Sequence, residues 1–257
     1  MKRSKGFSSE TNETIISVVV ILFVLIVGYA VYSDRKNNKK RKNAHKRYCD
    51  ENGFQYTEIA ESIPGCNEKF DMLIRGKDQR IENIMSGTRG DYDFQIFDFY
   101  YYMESPSPRN PLHKYDKEYG ETICFLRKKS EKNFPHFYML QNTLINEEKG
   151  KAKYNLFIKD VYFLPKIEGI KDIEFPLEEE LSLIVRTNNE EEIKAFYTKQ
   201  RIDSIKSFFD QTGGFIYIYE GKANCLLAGY TRIMTIEERL EILDCAIKMY
   251  EALDIDL

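Results

Sequence analysis

Residues Thr14 to Tyr32 read TIISVVVILFVLIVGYAVY, nineteen consecutive positions with no charge and only Thr14 and Ser17 clearly polar. At about 1.5 Å of rise per residue, an α-helix of that length crosses a bilayer's hydrocarbon core, about 30 Å thick. Directly after it comes SDRKNNKKRKNAHKR, residues 33–47, with eight Lys/Arg against one Asp. The remainder, 48–257, carries the mixed composition of a soluble domain. The expected organisation is an N-terminal tail (1–13), a transmembrane helix (14–32), a basic juxtamembrane linker (33–47) and a soluble domain (48–257). That last part is either one domain or two subdomains dividing near 150–180.

A cleaved secretory signal is the competing reading, because Gly28-Tyr29-Ala30 is a passable small-x-small site. Two features favour a retained anchor. The apolar run is longer than the usual signal core, and the basic cluster beyond it resists translocation and stays cytoplasmic. The expected topology is a single pass through the inner or cell membrane, with the N-terminus outside and the large domain in the cytoplasm. Export of 48–257 is the alternative topology.

The charge is strongly divided. Residues 1–47 contain eleven of the 38 Lys/Arg and three of the 41 Asp/Glu, so the rest carries 27 basic and 38 acidic residues, a net −11. Arg35, Lys36, Lys39, Lys40, Arg41, Lys42, Lys46 and Arg47 are therefore assigned to the membrane surface, where each contributes about 1 kcal/mol beside anionic lipid. An acidic domain argues against nucleic acid as a partner, since that needs a basic face. Five widely spaced cysteines (Cys49, Cys66, Cys124, Cys225, Cys245) include no C-x-x-C. They read as free thiols in a reducing compartment and give no zinc-ligand spacing.

Within the domain, Ala44–Glu51 predicts a short helix stopping at Asn52-Gly53, and Phe54–Ile59 alternates as a half-buried strand does. Ile81–Gly87 and Tyr92–Tyr102 flank Thr88-Arg89-Gly90-Asp91 as a hairpin. The Pro-rich stretch 103–118 predicts a loop. Strands are expected at Thr122–Leu126, Phe137–Leu140, Leu156–Phe163 and Leu181–Val185. A helix opens at Asn188-Asn189 with acids in its first turn and runs to about Gln211, ending at Thr212-Gly213-Gly214. Phe215–Tyr219 and Ala223–Tyr230 bracket Glu220-Gly221-Lys222 as a second hairpin. Thr235–Leu253 is an amphipathic helix with a capping box and a stripe of Leu240, Leu243, Ile247, Tyr250 and Leu253. Hairpins interrupted by helices predict an α+β fold with a mainly antiparallel sheet.

Catalytic motifs are absent: there is no G-x-S-x-G, Walker loop, G-x-G-x-x-G, H-E-x-x-H or EF-hand pattern. No cofactor, metal or catalytic residue is assigned. Weaker constellations remain. Cys124 could pair with His136 or His113 as an activated nucleophile. Asp98, on the side of Phe94, Ile96 and Tyr100, could be an acid of raised pKa, or else pair with a cation on the next strand. Asp91 and Asp93 lie beside it. Arg75, Arg80 and Arg89 could form an anion site, or else be solvated strand ends. Glu178–Glu180 reads as a solvated linker. The 35 Tyr and Phe could fill the core or supply a partner-binding face.

The plan of the chain resembles a loose family of uncharacterised bacterial membrane-anchored proteins: one N-terminal transmembrane helix, a basic stretch, then a domain of unknown function. The residues carrying the resemblance are Asn52-Gly53-Phe54-Gln55-Tyr56, Ser86-Gly87-Thr88-Arg89-Gly90, Phe97-Asp98-Phe99-Tyr100-Tyr101, and a helix with Arg201 and Phe208 seven apart. Phe163-Leu164-Pro165 is a partial echo of the family's L-P-x-F segment. The resemblance implies no activity or site residues. The resulting expectation is a membrane-anchored binding, scaffold or sensor module with an unidentified protein partner; the alternative is a tethered hydrolase with a site near Asp98 or the 103–118 loop.

Overall fold

The computed structural model describes residues 9–106, 114–129, 133–143, 171–178, 181–212, 218–230 and 232–255. The chain divides into two units, Met1–Arg47 and Tyr48–Leu257. The first unit is helical: α1 runs Ser9–Asn52 and contains a segment long and apolar enough to cross a membrane. Its side chains from Val18 to Ala30 and at Tyr32 are exposed on every side of the helix, including Phe23 and Ile26 at 66%. A helix apolar all round requires an apolar surrounding. The last turn, from Tyr48, belongs to the second unit, where Cys49 is packed in the core.

The second unit is α+β. Among the described residues nine antiparallel strands form one sheet. They are β1 (Gln55–Ala60), β2 (Lys77–Arg89), β3 (Tyr92–Pro106), β4 (Lys114–Lys128), β5 (Phe134–Thr143), β6 (Lys171–Glu178), β7 (Leu181–Thr187), β8 (Ile218–Ala223) and β9 (Cys225–Tyr230). Their order across the sheet is β1-β2-β3-β4-β9-β8-β5-β7-β6. The helices are α2 (Glu190–Phe196), α3 (Lys199–Thr212) and α4 (Ile236–Leu253).

Both faces of the sheet are covered, because alternate residues of the central strands are apolar on each side. Phe94, Ile96, Cys124, Leu126, Phe137, Met139, Tyr219 and Leu226 face the helices, together with Ile205, Phe209, Leu243 and Tyr250. Phe97, Phe99, Ile123, Phe125, Tyr138, Ile218 and Leu227 face the other way, under the connection from β1 to β2 with its Ile63, Phe70 and Met72. Most of the aromatic content is consumed here. The Phe134 and Tyr250 rings meet edge to face at 4.7 Å, and Tyr92 joins Tyr250 at 5.4 Å.

Several boundaries differ from the sequence reading. The stretch 103–118 is not one loop: β3 and β4 pair continuously from Tyr92↔Lys128 to Pro106↔Lys114, so only 107–113 connects them. Prolines at an edge or strand end are compatible with pairing, and the backbone ladder outweighs their turn preference. The first hairpin turns on Gly90-Asp91 alone, with Arg89 opposite Tyr92 and Gly90 at φ +60°. In the second, Lys222 pairs with Cys225, so the turn is Ala223-Asn224 and Glu220-Gly221-Lys222 lies within β8. Gly221 serves close approach: a Cβ there would sit 2.3 Å from the Phe137 ring.

The helix expected through Gln211 is broken at Tyr197-Thr198. Thr198 caps α3 by accepting from the Arg201 amide at 3.4 Å. The buried Arg201 guanidinium donates to the carbonyls of Leu253 (2.7 Å), Ile255 (3.0 Å) and Phe196. It therefore satisfies the ends of both α4 and α2. Strand β6 departs from the sequence expectation, because KDIEFPLE carries a proline and four charges; as the edge strand among the described residues it tolerates both. In α4 the buried stripe is centred on Arg239, Ile242, Leu243, Ala246, Met249, Tyr250 and Leu253, with Leu240 and Ile247 at its margin. The caps match expectation: Asn189 accepts from the Glu192 amide, and Thr235 with Glu238 forms the capping box. The strand expected at Leu156–Phe163, the echo at Phe163-Leu164-Pro165, and residues Gly213-Gly214, Phe215–Tyr217 and His113 lie outside the described residues.

Candidate functional site

Three buried polar clusters punctuate the two cores, and their placement follows from sheet parity. On the helix-covered face, Asp98 is fully buried in an ion pair with Arg239 of α4. The cation comes from the terminal helix, not the neighbouring strand. A register shift in β2 between Glu82 and Met85 places Asn83 at φ +53°, a conformation Asn tolerates. That bulge turns the Asn83 amide inward, where it donates to Asp98 at 2.8 Å and accepts from the Tyr56 hydroxyl at 3.0 Å. Arg239 also donates to the Asn83 and Ile96 carbonyls, at 2.8 and 3.3 Å. Thr122 adds a donor to Asp98 at 3.3 Å while accepting from the Met234 amide. Asp98 is thus enclosed and engaged, with no surface for a substrate.

The other two clusters lie on the opposite face and both hold the 3₁₀ turn Asp71–Leu73. Arg75 donates to the Met72 carbonyl at 2.9 Å and to Glu121 at 2.5 Å, beside the Tyr101 ring. Tyr101 in turn donates to Glu121 at 2.7 Å. On the other side of the turn, the fully buried Glu220 of β8 accepts from the Asp71 and Met72 amides, each at 2.9 Å. His136 of β5 completes this third cluster. Its Nε2 lies 3.0 Å from Glu220 Oε1 and 3.8 Å from Asp71 Oδ2.

This third cluster alone brings ligand-type groups to the surface. Asp71, His136 and Glu220 each present one ligand atom within 4.8 Å of the others. His136 and Asp71 side chains are 27% and 16% exposed, whereas Glu220 is closed off beneath them. Tyr138, two residues along β5 from His136, stands beside it at 5.4 Å between ring centroids. Burial, then the charge of Glu220, then Asp71 push the Tyr138 hydroxyl far above its ordinary pKa, so it stays neutral and protonated. That hydroxyl is buried against the Asp71 and Glu220 carboxylates.

The sequence-nominated constellations are mostly dispersed. Cys124 of β4 faces the helices and His136 of β5 the opposite side, so the sheet itself separates them as a catalytic pair. Burial also pushes the Cys124 thiol well up, away from thiolate reactivity. Arg75, Arg80 and Arg89 do not converge on an anion site. Arg75 binds Glu121, Arg80 binds Glu82 and Glu118 at 2.9 and 2.6 Å, and Arg89 binds Asp244 at 2.6 Å. Asp93 is bound by Arg127 at 3.2 Å, and Asp91 sits in the hairpin turn. Among the membrane-assigned cations, Arg35, Lys36, Lys39, Lys40, Lys46 and Arg47 are exposed along α1, and Arg41 and Lys42 are half-buried. Sequence reasoning missed Asp71 and Glu220 altogether. The one available signal was an acid in the middle of an apolar strand, IYEGKA.

No known protein family matches the chain, and no curated protein matches it. Among solved structures it is similar to the crystal structure of the mycobacterial trehalose monomycolate transport factor A, TtfA. The two share 14% identity with a TM-score of 0.51, over 83% of this chain and 94% of that one. The likeness is one of fold.

Proposed function

We propose that this protein is a single-pass membrane protein whose C-terminal α+β domain works by binding, as an accessory or scaffold module of a membrane-bound transport assembly. The observation carrying this reading is the combination, in one chain, of a bilayer-length helix and a fold similar to that of a transport factor. The basic stretch from Arg35 to Arg47 supports a cytoplasmic position for the domain, with the N-terminus outside. The acidic charge of the domain suits a protein partner and disfavours nucleic acid or the lipid surface itself. The resemblance to uncharacterised membrane-anchored proteins is consistent with the same organisation. The hydrolase alternative loses its two nominated locations, since Asp98 is enclosed and most of 103–118 is paired strand.

Sidedness is tested by labelling native cysteines with a membrane-impermeant maleimide in intact and then permeabilised spheroplasts. Cys66, partly exposed and with its thiol pKa brought down to about 7, is the expected site of reaction. Labelling only after permeabilisation, followed by crosslinking to a multi-span transporter, is the expected result. Labelling in intact spheroplasts would overturn the cytoplasmic placement. Absence of any membrane-protein crosslink would overturn the accessory role.

A further inference from the structure

We propose that Asp71, His136 and Glu220 bind a divalent transition-metal ion of the zinc class, at a site open to solvent on its outer side. The proposal is independent of the function proposed above.

The spacing suits such an ion. Tetrahedral coordination with bonds of about 2.0–2.1 Å separates ligand atoms by roughly 3.3–3.4 Å. The observed separations, 3.0 Å to Glu220 and 3.8 Å to Asp71, straddle that value. A small rotation of His136 would exchange its hydrogen bond to Glu220 for a shared ion. One imidazole and two carboxylates are hard-to-borderline donors that suit Zn²⁺, Co²⁺ or Mn²⁺ rather than a soft ion. Three protein ligands with His136 and Asp71 reaching solvent leave a position for water, the arrangement of an open site.

Charge argues the same way. Glu220 is fully buried, and among the described residues its only ion-pair contact is His136. Two carboxylates share one imidazole, an excess of negative charge that a divalent cation would balance. The supporting shell is already in place. The Asp71 and Met72 amides orient the Glu220 carboxylate, and the Thr187 hydroxyl donates to the His136 carbonyl at 3.1 Å, holding β5 against the end of β7. The buried Tyr138 hydroxyl, beside both carboxylates, is a ready donor to a metal-bound carboxylate oxygen.

The test uses the full-length protein in detergent micelles after treatment with chelator. Co²⁺ is titrated and followed by its visible ligand-field absorption, then displaced with Zn²⁺. One equivalent of Co²⁺ with the intensity of a four- or five-coordinate site is expected. Asp71→Asn and His136→Ala should each weaken binding by at least about tenfold, and Cys66→Ser should leave it unchanged. Both substituted positions are partly exposed, so these variants avoid the buried Glu220, whose replacement endangers folding. Metal-free melting curves check that each variant retains its fold. No ligand-field absorption in the wild-type protein overturns the proposal. So does unweakened binding in both variants, or loss of binding in Cys66→Ser, which would place the ion on thiols.

Discussion

Asp98 and Arg239 lie 141 residues apart in the chain and meet as an ion pair in which neither side chain retains any exposed surface. The pair joins the centre of the sheet to the first turns of α4, and the Asn83 bulge and Thr122 add further hydrogen bonds to it. Leaving one charge buried without its partner costs about 3–5 kcal/mol. Arg239→Met is therefore expected to lower Tm by roughly 10 °C in a domain of this size. The double variant Asp98→Asn/Arg239→Met should lose less than the sum of the singles. Thermal melts of the four proteins check this, and additive losses would show that the two side chains are not coupled.

Gly221 marks a place where two strands' contents touch. A methyl group there would meet Phe137 Cε1 at 2.3 Å. Gly221→Ala should cost about 1–3 kcal/mol by overpacking. Shortening the obstructing ring, Phe137→Leu, should recover part of that loss in the double variant. If Gly221→Ala melts with the wild type, the sheet has more slack at β8 than its packing indicates.

The thiols should differ sharply in reactivity. The side-chain hydrogen bond from Cys225 brings Cys66 down to about 7, whereas burial pushes Cys49 up to about 11. Cys66 should be alkylated before Cys49, with a rate midpoint near pH 7 that moves toward 9 in Cys225→Ala, which removes the donor. Folded Cys66 releases its proton at lower pH than the unfolded thiol at 9.0. Its contribution to stability therefore grows as pH rises through about 7, is complete above 9, and is absent below 7. A midpoint near 9 in the wild-type protein would contradict the Cys66–Cys225 contact.

The basic stretch offers a test of topology in the same assay. Replacing Lys39, Lys40, Arg41 and Lys42 by Gln removes about 1 kcal/mol of anionic-lipid attraction per residue and weakens the bias that keeps this side cytoplasmic. The expected outcome is a new fraction of molecules whose Cys66 is labelled in intact spheroplasts. Unchanged labelling would mean that another segment sets the orientation.

How much the sequence disclosed depends on how local the deciding interaction is. The apolar run from Thr14, the Asn189 and Thr235 caps and the alternation of Tyr92–Tyr102 were legible because each is set within one or two turns or pleats. Edge strand β6 was illegible, since its charges and Pro176 are tolerated where one side of the strand has no partner among the described residues. Gly221 looked like a turn because a sequence cannot show the Phe137 ring that excludes a side chain. The break at Tyr197-Thr198 was hidden for a similar reason. Arg201 reaches carbonyls of two other segments, one of them more than fifty residues away.

The candidate site divides along the same line. By itself the sequence determined the bilayer-length segment, the charge asymmetry between the two parts, and the α+β class, because hydropathy, charge and period are properties of consecutive residues. Tertiary structure decided which polar residues meet. Pleat parity sent Cys124 and His136 to opposite faces, and a bulge at Asn83 delivered Asp98 to an arginine from the last helix. Strand order placed β8 beside β5, so that Glu220, His136 and the 3₁₀ turn at Asp71 converge from three distant segments. Such convergence costs chain entropy that only the completed sheet and its two cores can offset, so no local pattern announces it.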